Sequence, residues 1–277
     1  METVFTAIYW NIDPSVIPSL DFPRWYSLMW LVGVVLGYKL ILKIYKQEGF
    51  SEDNLQSLAV TIMVFAVLGA RLGHVFFYDW AYYSQHPIEI LPIQLEPSFK
   101  FTGFTGLASH GGVIGALLGL LWYNRKRKLN YGWLVDRLTI GGAILGGFIR
   151  LGNLLNSEII GKPTELPWAF VFERVDDLPR HPAQLYEAIF YWLIGWVLYR
   201  MWQRKGNNLG HGYIFGLGLV LIFLQRFLVE FLKENQVAFE DALTLNMGQI
   251  LSIPIILLGA FIMWRTTRKR PLVNSEV

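Results

Sequence analysis

The chain has no cysteine among its 277 residues, which excludes disulfides, thiolate metal ligands and a cysteine nucleophile of its own. Any thiol in its chemistry would have to arrive on a substrate. Charge is scarce as well: Asp, Glu, Lys and Arg make up 16% of the chain against 53% hydrophobic residues, with a mean hydropathy of +0.37. That balance exceeds what an ordinary soluble domain of this length carries and points to a polytopic membrane protein. The opening METVFTAIYWNIDPSVIP lacks a basic stretch and a small-residue cleavage site, so it does not read as a signal peptide and is expected to stay on the mature chain. No repeat of constant period is apparent, and neither are the inverted halves common in transporters. His74, His86 and His211 offer no ligand spacing and read as interfacial or loop residues, so no metal site is expected.

What the chain does have is seven apolar stretches long enough to cross about 30 Å of hydrocarbon: roughly 27–45, 57–78, 106–123, 133–155, 182–202, 211–233 and 246–265. The expected fold is an all-α, polytopic membrane bundle of seven transmembrane helices, a single domain over 1–277. Basic residues set its orientation. Lys39, Lys43 and Lys46 close the first stretch, Arg125 to Lys128 follow the third, Arg200, Arg204 and Lys205 the fifth, and Arg265, Arg268, Lys269 and Arg270 the seventh. Basic loops favour the cytoplasm, so the N-terminus is expected outside and the C-terminus inside. The net charge of +3 reflects these anchors, with anionic-lipid contact second, and not nucleic-acid binding. The long connections, 79–105 and 156–181, then fall on the outer face, where function tends to sit. The first mixes aromatics and prolines with few charges and is expected to lie in the membrane interface.

Against this background two arginines stand out, Arg150 in ILGGFIRLGNLLNSE and Arg226 in LVLIFLQRFLVEFL. A charge within the bilayer is costly, by roughly 2.5 to 3.5 kcal/mol on insertion scales, and usually faces a partner, cavity or ligand. The expected topology puts both in the outer leaflet. Asn153, Asn156 and Glu158 continue from Arg150 toward the outer surface, and Glu230 lies one turn from Arg226, close enough to pair. His110, in GLASHGGVIG, Arg71, in GARLGHVFFYD, and Tyr26, in PRWYSLMW, come to the same side from three other spans. Each has a structural reading too. Arg226 with Glu230 is also a helix tie, Arg71 also an interfacial snorkel, Tyr26 also an aromatic anchor, and His110 also a packing residue between glycines. Asp136 and Arg137, at the cytoplasmic start of the fourth span, read as structural.

Arginines at outer-leaflet depth suit a phosphate, because guanidinium forks hold its oxygens bidentately and stay charged at ordinary pH. The residues therefore point to a phospholipid headgroup site, with a histidine near neutrality able to move a proton. At these positions the chain resembles the bacterial prolipoprotein diacylglyceryl transferases. The resemblance runs through RWYSLMW at 24–30, GARLGHVFFYD at 69–79, SHGGVIG at 109–115, RLGNLLNSEIIGKP at 150–163, LPWAFVF at 166–172, LPRHPAQLYEA at 178–188 and RFLVEF at 226–231. It covers most of the chain.

The resemblance implies an enzyme of the bacterial cell membrane that moves the diacylglyceryl group of phosphatidylglycerol onto the lipobox cysteine of a prolipoprotein signal peptide. A thioether forms and glycerol 1-phosphate leaves, with no cofactor required. It implies that His110 is the essential histidine and that Arg150 and Arg226 bind the headgroup. Tyr26, Asn153, Glu158 and Glu230 match further functional positions, Arg71 is expected to contact substrate, and Gly161 is expected to let the backbone approach the lipid. His110 reads either as the base that prepares the thiolate or as a headgroup ligand, with the arginine field lowering the thiol pKa. The chain departs from the pattern at Ile149, Leu154 and Ile222, where the family commonly has glycine, phenylalanine and tyrosine. No hydroxyl role is therefore assigned at 222. A transporter or flippase for a phosphorylated lipid would use the same arginines without transforming the ligand. It would, however, need polar lining toward the cytoplasm, where spans three to six are apolar or small. A noncatalytic scaffold would not need the arginines at all.

Overall fold

The computed structural model describes residues 7–20, 22–91, 93–94, 99–101, 106–205, 209–235 and 243–268. Parts of the expected outer connection 79–105, and the basic residues Lys269 and Arg270, lie outside them. Helices dominate: α1 (Trp25–Gln47), α2 (Glu52–Phe77), the short α3 (Trp80–Tyr83), α4 (Ser109–Arg127), α5 (Tyr131–Leu155), α6 (Ala183–Lys205), α7 (Tyr213–Val229) and α8 (Met247–Arg268). Among the described residues five helical segments are long and apolar enough to cross a membrane: α1, α2, α5, α7 with its 3-10 extension to Leu232, and α8. The chain groups into two compact units, one made of residues up to Ile44 and from Gly132 on, the other of Tyr45–Tyr131.

In the smaller unit α2 begins on a Ser51 cap whose side chain accepts from the Asn54 amide, with Glu52 and Asp53 in the first turn to meet the helix dipole. Its partner is α4. Gly69 and Gly73 of α2 meet Gly111 and Gly115 of α4 so closely that a Cβ on any of the four would strike facing backbone. Small residues on both sides let main chains touch, the usual device for helix pairs in lipid. Helix α4 ends at Lys128, in the left-handed region at φ 53°, after three basic residues that suit its negative end.

In the larger unit α5 runs between neighbours that each need its glycines. Gly141 faces Gly37 and Ile41 of α1, Gly152 faces Tyr26, and Gly146 and Gly147 receive the rings of Tyr191 and Trp192 from α6. Helices α7 and α8 meet at Gly216 and Gly259. A small sheet, unforeseen in the sequence, belongs to the same unit. Strand β1 (Ile8–Trp10) pairs in parallel with β4 (Phe170–Phe172), and β4 pairs antiparallel with β5 (Pro179–Arg180). Leu154, Phe170 and Phe172 form its buried core, and the Trp10 indole donates to the Leu154 carbonyl at 3.0 Å. The sheet is thereby fastened to the last turn of α5, which holds Asn153 and follows the turn that holds Arg150. The remaining strands, β2 (Ile93–Gln94) and β3 (Lys100–Phe101), form an antiparallel pair in the smaller unit.

Candidate functional site

Helices α5 and α6 bring Arg150 to its partner through antiparallel register. With Tyr191 packed on Gly146, the α6 face one turn earlier presents Glu187 to Arg150, and Glu187 Oε2 lies 3.0 Å from Arg150 Nε. Tyr191 itself lies beside Arg150. Arg150 has no acid one turn away in its own helix, and its partner comes from α6. Lys233 continues the chain of charge. Its Nζ donates to Glu187 Oε1 and to Glu230 Oε1, both at 3.0 Å, and Glu230 Oε1 stands 3.7 Å from Arg226 Nε. The expected pairing of Arg226 with Glu230 is thus present. It is one link in a five-member series, Arg150–Glu187–Lys233–Glu230–Arg226.

Exposure is graded along the series. The Glu187 and Lys233 side chains are 0% and 2% exposed and Glu230 is 9%, whereas Arg150 is 14% and Arg226 36% exposed. The two arginines are therefore the ends that a ligand could reach, and the middle is sealed. Asn246, leading into α8, adds a 3.2 Å bond to the second Glu230 oxygen. Among the described residues the Nη groups of Arg226 make no hydrogen bond, so they are available to an anion. Three cations against two carboxylates leave one positive charge. Buried ion series of this kind contribute little net stability, because desolvation offsets the attraction, so stability alone does not account for this one.

Beyond Arg150 the network turns outward. Arg150 Nη1 donates to Asn153 Oδ1 at 3.4 Å, and Asn153 and Asn156 donate to the two Glu158 oxygens at 2.9 and 3.1 Å. Glu158 is exposed, but its turn is held hard. Ser157 and Ile159 on either side have φ of 57° and 56°, the Gln184 amide donates to the Glu158 carbonyl at 2.5 Å, and the Glu158 amide reaches the Asn153 carbonyl at 2.9 Å. A β-branched residue at positive φ costs about 1–3 kcal/mol and persists only where its surroundings enforce it, as functional turns often do.

Next along the chain, Gly161 bridges to Lys233. Its amide donates to the His181 carbonyl at 3.1 Å, and a Cβ there would meet the backbone oxygens of His181 and Leu232. The space that glycine leaves open is filled by protein, which makes it a packing requirement of this chain. Arg180 closes the same corner. Its guanidinium takes Asp176 bidentately, Glu234 at 2.7 Å and the Gly161 carbonyl at 3.1 Å. Arg180 beside Asp176 holds that carboxyl below its usual range, and burial lowers the His181 ring below its own.

The other expected residues divide. Tyr26 packs in the same unit as Arg150, against Gly152. Arg71 and His110 belong to the smaller unit. Arg71 is buried and donates to the Ile90 carbonyl at 2.8 Å, the Glu89 carbonyl at 2.5 Å and the Gly106 carbonyl at 3.5 Å, with its guanidinium 4.8 Å from the Tyr83 ring centroid. It holds the connection after α2. His110 stands in the first turn of α4 with its side chain exposed, while the neighbouring glycine face is the one packed on α2.

Several helices apolar enough to cross a membrane, with a line of ionised side chains of surplus positive charge buried in the larger unit, define a multi-pass membrane protein. Within that class, the chain belongs to the prolipoprotein diacylglyceryl transferase family, whose model matches residues 17–265. It is 44% identical over 274 residues to a phosphatidylglycerol–prolipoprotein diacylglyceryl transferase of Bacteroides fragilis, covering 98% of this chain and 99% of the relative. The proteins of the same name from Tolumonas auensis, 43% identical over 95% of this chain and 99% of theirs, and from Porphyromonas gingivalis, 37% identical over 99% of each, are similar throughout.

Proposed function

We propose that the protein transfers the diacylglyceryl group of phosphatidylglycerol to the lipobox cysteine thiol of prolipoproteins, forming a thioether and releasing glycerol 1-phosphate. The observation that carries this reading, beside family membership, is the pair of reachable arginines at the ends of one buried ion series. Arg150 and Arg226 hold the headgroup phosphate, and their charge stabilises the phosphate monoester as the glyceryl C–O bond breaks. Asn153, Glu158 and Glu230 orient the arginines and the headgroup, Tyr26 braces α5 at Gly152, and Gly161 keeps its turn closed against His181. Arg71 serves substrate binding by holding Tyr83, Glu89 and Ile90 in the connection after α2. His110 takes the thiol proton, since a thiol of pKa about 8.5 is mostly protonated at neutral pH. The cysteine-free chain needs no nucleophile, cofactor or covalent intermediate of its own.

Seven spans, with the N-terminus outside, the C-terminus cytoplasmic and the site toward the outer leaflet of the bacterial cytoplasmic membrane, fit the basic residues after α1, α4, α6 and α8. Helices α4 and α6 supply the two spans beyond the five apolar ones.

Purified protein in detergent micelles, given phosphatidylglycerol and a lipobox peptide, is expected to produce a peptide heavier by one diacylglyceryl group together with free glycerol phosphate. Unmodified peptide from folded protein would remove the reading, and bound lipid without product would favour a carrier. For His110, the pH–rate profile of His110→Gln is expected to lose the alkaline-rising limb, and an unchanged limb would sink its role as base.

A further inference from the structure

Lys233 enters no step of the proposed reaction, yet it is the most enclosed cation in the series. Its side chain is 2% exposed and its Nζ binds carboxylates from two elements, Glu187 of α6 and Glu230 of the 3-10 turn after α7. Each of those carboxylates also faces one of the two arginines. Without the lysine the arginines and glutamates would cancel, two against two. We infer that Lys233 is the positioning residue of the headgroup site: it supplies the surplus positive charge that an anionic lipid phosphate neutralises and holds the two carboxylates that face the arginines at a fixed separation, without touching the lipid.

The geometry supports both parts. Glu187 Oε1 and Glu230 Oε1 each lie 3.0 Å from the same nitrogen, so two like charges are kept close in a buried place only while the ammonium stands between them. The lysine is fixed in turn, because its backbone bridges to Gly161 and the flanking Lys162 and Glu234 amides bond to the Leu232 and Ile160 carbonyls at 2.8 and 3.2 Å. Glu158 does not alter the balance. It is exposed to solvent and reaches Arg150 only through Asn153, so its charge is screened where that of Lys233 is not.

The inference rests on the reading of Arg150 and Arg226 as a phosphate site. Its test compares wild type, Lys233→Gln, Lys233→Arg and the double variant Glu187→Gln/Lys233→Gln. Transfer is measured in micelles over a range of phosphatidylglycerol contents, lipid binding is read by tryptophan fluorescence in the same micelles, and thermal unfolding is recorded for each protein. Lys233→Gln is expected to raise KM and the apparent Kd for phosphatidylglycerol about tenfold, more than it changes kcat, and Lys233→Arg to restore both to within about threefold of wild type. The double variant regains one surplus charge and is expected to bind at least about threefold more tightly than Lys233→Gln and to come within about threefold of wild type, and this second comparison keeps the test open if the single variant does not fold. A merely structural lysine would lower the folded fraction and apparent kcat and leave KM and Kd unmoved. Unmoved KM and Kd in Lys233→Gln, an arginine variant no better than glutamine, or a double variant without recovery would overturn the inference. Failure of the transferase reading would show separately, as wild type that binds lipid and makes no product, and the binding comparison would still decide the role of Lys233.

Discussion

The two ends of α5 both bury charge and use it differently. At the start of the helix Asp136, 2% exposed, gives one oxygen to the Gly212 amide at 2.8 Å and the other to the Phe215 amide at 2.7 Å, so it caps the beginning of α7. Arg137 lies 3.7 Å from the same carboxylate, with its guanidinium 5.0 Å from the Trp133 ring centroid. Backbone donors consume the acid, and nothing reachable remains. At the far end Arg150 meets Glu187 and, through Lys233 and Glu230, the more exposed Arg226, with one positive charge left over. A buried charge answered by backbone amides is a cap. A buried series answered by other side chains, with surplus charge and exposed ends, is a place for a ligand.

The contrast breaks first if Glu187 is dispensable. Glu187→Gln leaves Arg150 and Lys233 without their shared anion, and removal of one partner from a buried pair costs about 3–5 kcal/mol. The expected result is a fall in thermal midpoint larger than Gly161→Ala or Asp176→Asn produces, with transfer lost. Next comes Asp136→Ala at the opposite end. It orphans two amides at about 1–3 kcal/mol each and is expected to lower the midpoint while leaving kcat per folded molecule unchanged. A loss of kcat in the folded fraction would erase the distinction between the two ends. Gly161→Ala forces a methyl onto the backbone of His181 and Leu232 and is expected to cost about 1–3 kcal/mol, with transfer falling because Lys233 is displaced alongside.

The smallest effect is expected at the exposed edge of the site. Arg180 depresses the Asp176 carboxyl, so this pair adds stability that is fully present above the ordinary carboxylate value of about 3.9 and is lost as pH falls through the lower folded value. Asp176→Asn is expected to flatten that acid limb of a midpoint-against-pH curve, by no more than about 1 kcal/mol at neutral pH because the pair is solvent-screened.

Much of this arrangement is legible in the sequence for physical reasons. Long apolar runs locate the helices, a charge in such a run locates Arg150 and Arg226, and four-residue spacing pairs Arg226 with Glu230. The short polar run after Arg150 places Asn153 and Glu158 together. Glu187 and Lys233 do not stand out in the same way, because each gains its meaning from a neighbour distant in sequence. Glu187 looks like one acid in the first turns of α6 until Tyr191 on Gly146 sets the α5–α6 register, and Lys233 looks like a loop cation until the segment 160–162 is laid beside 232–234. The signal that could have found Glu187 is its place as an acid inside the expected span 182–202. Strands of two or three residues carry too little alternation to be read, so the sheet that fastens the end of α5 is invisible there. Gly161 is legible as a place needing glycine, and the structure shows that what approaches it is the backbone of His181 and Leu232.

The central claim is that Arg150 and Arg226 grip a phosphate that becomes the leaving group. Its most direct test is the rate of diacylglyceryl transfer from phosphatidylglycerol to a lipobox peptide by Arg150→Ala and Arg226→Ala proteins, measured per folded molecule at a temperature below the thermal midpoint of each. Each is predicted to be slower by about a hundredfold or more, the usual consequence of losing a donor to developing negative charge. Transfer within about tenfold of wild type by either folded variant would contradict the account.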